Sequence, residues 1–173
     1  MYRPHEIDQM ISRLVCIVDS REQPTEKYYQ RLNSLGMPYE RLALPYGDYS
    51  AYTTDPDGGV IDLRRICSVE RKMGLDELAN CFTHERERFT REFERAKSDG
   101  CHMHILIEND SFERLRFAKY RSKLPPQALI ASLLTWGIRY NAKLMFCKSE
   151  TTGYLVGQIL RYELREYLLN MKE

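Results

Sequence analysis

Leu14-Val-Cys-Ile-Val18 is an unbroken apolar run with no polar residue at alternate positions. A strand of that composition must be covered on both faces, which points to a sheet sandwiched between helices. Met103 to Ile107 reads as another buried strand, stopped by Glu108-Asn-Asp110. Residues 25–35 set Tyr28, Tyr29, Leu32 and Leu35 at helical spacing, with Gly36 as a cap and Pro38 just beyond. Tyr39 to Leu44 reads as a strand closed by Pro45-Tyr-Gly-Asp48. Tyr49 to Thr54 and Val60 to Val69 read as two strands joined by the turn Asp55-Pro-Asp-Gly-Gly59. After Lys72 the pattern turns helical and ends at Gly100. Residues 125–140 form an amphipathic helix opened by two prolines, Leu144 to Cys147 a last strand, and Thr152 to Leu169 a last helix. Strands alternating with helices predict an α/β domain with a mixed central sheet. At 173 residues, with no repeat, low-complexity stretch or linker, the chain fits one domain with a core over about residues 14–168.

The formal net charge of +1 singles out no partner, so a nucleic-acid reading must rest on local patches. No apolar run approaches the roughly 20 residues that span a bilayer, and the first residues lack the apolar stretch of a secretory signal. An intracellular protein with no membrane partner is expected, in cytoplasm or nucleoid for a microbial or viral source. The five cysteines are scattered and never form C-x-x-C, as small buried hydrophobes would be. Cys81-x-x-His84 with Cys101-x-x-His104 is of zinc-ligand type. A strand would turn Cys101 and His104 to opposite faces, so no zinc site is expected from these four.

Three acidic sites fall where strands end or begin: Asp19 with Glu22, Asp48, and Glu70. Positions i and i+2 of a strand share a face, so Glu70 and Lys72 project together. Glu70 and Lys72 leave a largely apolar strand, where carboxylates and a lysine are costly without a task or a metal. Acids followed by E-x-K suit metal-assisted phosphodiester cleavage. The carboxylates hold Mg²⁺ or Mn²⁺ through hard oxygens, and the lysine orients or deprotonates the attacking water. On this reading Asp48 and Glu70 bind the ion directly, Asp19 joins them, Glu22 stands beside them, and Lys72 handles the water. Asp76 is expected as an N-cap or first-turn acid of the following helix rather than a metal ligand.

Asp19-Ser-Arg-Glu22, Gly47-Asp-Tyr49 and Val69-Glu-Arg-Lys72 followed by Asp76 resemble the signature of the XPF/Mus nuclease family, whose members cut branched DNA near duplex–single-strand junctions. Gly47, Asp48, Glu70, Arg71, Lys72 and Asp76 meet its G-D-x(n)-E-R-K-x-x-x-D pattern, while Arg88 and the strand Ile105-Leu-Ile-Glu108 look like further family positions. The resemblance implies a restriction-endonuclease-like α/β fold, Mg²⁺ or Mn²⁺ dependence, and a catalytic set at Asp19, Glu22, Asp48, Glu70 and Lys72. It adds Arg21, Arg71 and Arg88 to the residues expected to meet DNA, Arg71 either there or bound to the site through its main chain. Family members usually work in pairs and carry a helix–hairpin–helix domain after the nuclease domain. The 173 residues show neither that domain nor a helicase region, so substrate choice is left open.

Arg114, Arg116, Lys119, Arg121 and Lys123, interleaved with Phe112, Phe117 and Tyr120, suit phosphate contact, or else a solvated loop with buried aromatics. The apolar helix 126–140, with the closing helix around Leu155, Ile159, Tyr162 and Leu169, is the expected surface for a homodimer or a partner protein. The function expected is cleavage of branched, flapped or nicked DNA. The alternative is a DNA-binding or scaffold module needing a partner. Loss of an acid or of the lysine would mark it, and none is missing.

Overall fold

The computed structural model describes residues 2–171. Its elements are, in order, α1 (Pro4–Ser12), β1 (Val15–Asp19), α2 (Glu26–Asn33), β2 (Tyr39–Leu42), β3 (Tyr49–Thr54), β4 (Val60–Asp62), β5 (Cys67–Lys72), α3 (Leu75–Cys81), α4 (Arg86–Ser98), β6 (His102–Glu108), α5 (Phe112–Arg116), α6 (Pro126–Tyr140), β7 (Lys143–Cys147) and α7 (Ser149–Asn170). The strands form one seven-stranded sheet in the order β2-β1-β3-β5-β6-β7, with β4 paired to β3. β1–β2, β5–β6 and β6–β7 are parallel, whereas β3 runs antiparallel to β1, β4 and β5. This is the mixed sheet flanked by helices that the strand–helix alternation predicts.

Two apolar layers cover the sheet. On one face α1, α2 and α7 bury Met10, Tyr28, Leu32, Val156, Leu160 and Leu164 against Cys16, Val18, Val69 and Leu106. On the other, α3, α4 and α6 bury Leu78, Phe89, Phe93, Leu133 and Trp136 against Met103, Ile105 and Ile107. The continuous apolar runs in β1 and β6 are thus explained, since both strands lose water from both sides. No helix among the described residues is long and apolar enough to cross a membrane.

Several boundaries differ from the sequence reading. The strand expected over Val60–Val69 is interrupted: Asp62 accepts the Arg64 amide and guanidinium, and the Ile66 and Cys67 amides donate to the Leu63 carbonyl, turning the chain between β4 and β5. The helical stretch after Lys72 is two helices, with the Asn80–Glu85 side-chain bond and the Glu85 amide on the Asn80 carbonyl spanning the break. Helix α5 has only five residues, too few for apolar spacing to mark it, while the sequence reading omits α1 although its buried Ile7 and Met10 stand at helical spacing. α6 and α7 lie against opposite faces of the sheet, so they do not make the single joint surface anticipated for pairing. Leu129, Leu133, Trp136 and Tyr140 of α6 are core, leaving Leu134 and Ile138 outside.

Helix α7 packs on α2 through Gly153 and Gly157. The carbonyl oxygens of Arg31 and Leu35 occupy the space that a Cβ at these positions would need. In an exposed helix Gly→Ala is worth up to about 1 kcal/mol of added stability. Here the sign should reverse: Gly153→Ala and Gly157→Ala are each expected to cost about 1–3 kcal/mol by forcing the helices apart, read as a lowered urea midpoint.

Candidate active site

Because β3 is antiparallel between β1 and β5, its start meets the ends of both. Asp48, just before β3, donates its amide to the Val69 carbonyl at 2.8 Å and accepts the Asp19 amide at 2.9 Å. Only Tyr49 and Val69 are in register between β3 and β5. Ser50 and Ser68 compensate with hydroxyls that donate to the Cys67 and Tyr46 carbonyls. Gly47, at φ +70°, lies so close to Ser68 that a side chain there would collide with its hydroxyl. The three acidic sites therefore converge from separate strands. Asp19, Glu22, Asp48, Glu70, Lys72, Arg21, Arg71 and Arg88 line one polar cavity of about 200 Å³, joined by Glu77 and Glu92.

Asp19 is buried at the end of β1, with both oxygens taken. Oδ1 accepts the Arg21 amide (2.7 Å) and Nε (2.8 Å), while Oδ2 accepts Arg21 Nη2 (2.6 Å) and the Leu44 amide (3.2 Å). Burial pushes this carboxyl up, but the Arg21 bonds outweigh it and hold it below the ordinary aspartate range. Arg21 is thus a clamp on Asp19 that must open before Asp19 can meet an ion, and its mostly exposed side chain can swing away.

Glu22 sits in a chain of alternating charges. Arg31 and Arg71 each approach its Oε2 at 3.3 Å, and Arg71 Nη1 reaches Glu108 at 3.3 Å. Alternation along β5 turns the Arg71 side chain to the α2–α7 face, while its amide donates to Asp48 Oδ2 at 2.7 Å. Arg71 therefore holds the site through its main chain, one of its two expected roles, and its guanidinium braces Glu22.

Glu70 and Lys72 project to the same face, as their spacing requires, and Lys72 Nζ lies 2.5 Å from Glu70 Oε1. Both side chains are buried, and the ammonium also stands over the Phe89 ring at 5.2 Å. Burial pulls the ammonium down, yet the Glu70 carboxylate outweighs it and lifts Lys72 above the ordinary lysine value. The Glu70 carboxylate thus favours the cationic form of Lys72. Burial raises Glu70, with Lys72 opposing and Glu92 and Glu77 adding to the rise. Burial and the neighbouring Glu70 and Glu22 charges raise Asp48 well above the ordinary range. Asp48 and Glu70 offer oxygen donors only, a set that suits a hard cation such as Mg²⁺ or Mn²⁺.

The sequence missed Glu77 and Glu92. Glu92 lies one turn after Arg88 on α4 and accepts the Gly47 amide at 2.8 Å; Glu77 accepts the Met73 amide at 2.7 Å. The i,i+4 step from Arg88 was the one available signal for Glu92. Gly74, not Asp76, holds the N-cap position of α3, and Asp76 is an acid of that helix's first turn. Its carboxylate receives the Arg121 and Ser122 amides and Arg121 Nε, while Asp110 accepts the Leu75 amide at the start of α3. The basic run lies on α5 and the loop after it: Arg114 is paired to Asp110, Arg116 stands over Phe117, and Arg121 and Lys123 line a groove with Asp76 and His84. A second hollow is lined by Asp76, Glu77, Asp110 and Arg121.

The four zinc-type residues weighed from sequence do not form one cluster among the described residues. His104 instead joins Cys67 and Glu163, a set able to coordinate a metal ion, on the opposite face of the sheet from Glu70.

The family model for the ERCC4 domain matches residues 18–157. Among solved structures, XPF from Aeropyrum pernix superposes with a TM-score of 0.61 at 21% identity, over 90% of this chain and 70% of that one. XPF from Aeropyrum pernix in complex with DNA gives 0.60 at 21%, over 93% and 68%. No curated protein matches. The likeness bears out the restriction-endonuclease-like α/β fold.

The raised Asp48 has a defined consequence for metal-free protein. The folded state retains a proton that an unfolded aspartate releases near pH 4, so this group's contribution is most favourable below that pH. It is lost as pH rises toward the folded value. Asp48→Asn is expected to flatten that decline and raise stability at neutral pH, measured by urea unfolding without metal across pH 4–8. Glu70→Gln should act oppositely, since it strands the buried Lys72 ammonium at a cost of about 3–5 kcal/mol.

Proposed function

This chain belongs to the ERCC4 domain family, and on that premise we propose that it is a divalent-metal-dependent endodeoxyribonuclease acting on branched, flapped or nicked DNA. The observation that carries the reading is the convergence of Asp19, Asp48, Glu70 and Lys72 from three strands into one cavity. DNA as the partner is supported by the structural relative in complex with DNA, and by Arg121 and Lys123 lining a surface groove. Repair or recombination of DNA is the setting such cleavage serves.

Asp48 and Glu70 would hold Mg²⁺ or Mn²⁺, with Asp19 completing the set when Arg21 turns from it toward the substrate. When bound, the ion supplies Lewis-acid polarisation of the scissile phosphate. Lys72 donates to the attacking water and offsets charge building on the phosphate oxygens. The water oxygen forms the new bond to phosphorus and gives up a proton to the surrounding solvent, while the P–O3′ bond breaks and the 3′ oxygen takes up a proton from solvent, leaving a 5′ phosphate and a 3′ hydroxyl. Glu22, braced by Arg31 and Arg71, orients the groups around it. Arg71 fixes Asp48 through its amide. Arg88 stands at the rim, where a flanking phosphate would lie. Homodimerisation or pairing with another protein belongs to the same reading, and the exposed Leu134 and Ile138 supply apolar surface for it.

Asp48→Asn, Glu70→Gln and Lys72→Ala are each expected to abolish cleavage of flap, splayed-arm and nicked substrates in Mg²⁺ or Mn²⁺. Circular dichroism should show each variant folded. Turnover persisting in excess chelator, or an active Glu70→Gln protein, would remove the metal from the mechanism. Neutralising Arg114, Arg116, Arg121 and Lys123 together should weaken binding across sequences. The log-affinity against log-salt slope should fall by about 0.9 for every duplex phosphate that these side chains no longer neutralise. An unchanged slope would place the grip elsewhere.

A further inference from the structure

Behind the sheet from the carboxylate cavity, β5, β6 and α7 gather a second set of ligand types that DNA cleavage does not use. Cys67 Sγ, a ring nitrogen of His104 and a carboxylate oxygen of Glu163 all lie within 4.8 Å of one another, and all three residues are buried. The parallel register places Cys67 opposite His102 and Val69 opposite His104, so Cys67, His102 and His104 face α7, from which Glu163 reaches down. We infer that these residues form a second metal site, selective for a borderline transition ion of the Zn²⁺ class and independent of the nuclease reading.

The donor set carries the assignment. Sulfur, imidazole and carboxylate together suit Zn²⁺ or Co²⁺ and disfavour Mg²⁺, which demands oxygen alone. The carboxylate is also crowded with cationic and N–H partners. Glu163 Oε1 meets His104 Nε2 at 2.7 Å and Lys143 Nζ at 2.6 Å, while Oε2 meets His102 Nδ1 at 2.8 Å. His104 Nδ1 is buried without a hydrogen-bond partner, so one ring nitrogen of this residue remains unsatisfied. Two groups around the cluster can rearrange. Lys143 lies on the edge strand with 57% of its side chain exposed and can withdraw into water. His102, 52% exposed and in contact with Glu163, is available as a fourth donor. On binding, the Cys67 thiol releases its proton to solvent, and thiolate plus carboxylate balance the dication. The ion would fasten α7 to the two central parallel strands, adding stability only to the folded state.

The test titrates Co²⁺ into wild-type protein in a large excess of Mg²⁺, which occupies the all-oxygen site. One equivalent should give a near-ultraviolet thiolate-to-cobalt band and tetrahedral visible bands. Zn²⁺ should bleach both and raise the melting temperature. Cys67→Ser, a near-isosteric change, should lose the near-ultraviolet band and the Zn²⁺-dependent rise in melting temperature. Glu163→Gln should weaken binding of either ion, and Cys67→Ser keeps the test decisive if that variant does not fold. Lys143→Met, which removes the competing ammonium, should tighten Zn²⁺ by about tenfold. Absence of a thiolate band at stoichiometric Co²⁺, its persistence in Cys67→Ser, or a melting temperature indifferent to Zn²⁺ would overturn the site. Any of these results would leave a buried ion-pair tie between α7 and the sheet.

Discussion

The backbone clasp on Asp48 is the constraint on which the rest depends. One amide bond to β5 and one carbonyl bond to β1 fix the entry of β3 between two strands that run the other way. Antiparallel insertion brings the beginning of one strand to the ends of two others, so three acids far apart in sequence become neighbours. The clasp also explains why Gly47 and Ser68 stand where they do. The chain passes so near β5 that position 47 has no room for a side chain, and the Ser68 hydroxyl supplies hydrogen bonds that a short ladder cannot.

Concentrating carboxylates in this way is unfavourable by itself, and the protein answers with cations of graded mobility. Arg31 and Arg71 brace Glu22 from within the α2–α7 layer, where little water reaches them. Lys72 is equally buried and neutralises Glu70 directly. Arg21 neutralises Asp19 from the solvent side and is the one of these cations free to leave. Among the described residues Asp48 has the Arg71 amide but no cation in hydrogen-bonding contact, and burial with the nearby Glu70 and Glu22 charges raises its carboxyl.

Strand alternation divides the work of β5. Glu70 and Lys72 point to the α3–α4 face and Arg71 to the α2–α7 face, so one short segment supplies the charged pair and its brace. Three residues before Glu70, Cys67 takes the Arg71 face and joins the cluster of β6 and α7. The chemistry on the two sides is separated by the apolar thickness of the sheet. A change in either set acts on the other only through strand geometry.

What the sequence determined is what local periodicity encodes. The unbroken run at Leu14–Val18 required a doubly covered strand, and the two-residue step from Glu70 to Lys72 required a shared face. The acids at strand ends, with the family-like spacing of Gly47-Asp48 and Glu70-Arg71-Lys72, located the cavity. Those features depend on backbone repeat alone, so they survive translation from one dimension to three. Tertiary structure alone decided which charges meet. Strand order placed Arg71 between Glu22 and Glu108 and gave Asp76 to the Arg121 loop. Helix crossing brought Glu77 and Glu92 to the cavity, set α6 and α7 on opposite faces, and lowered Glu163 onto His104. Contacts between residues tens of positions apart carry no period in the sequence. They are fixed by which strands pair and by which side of the sheet each helix covers.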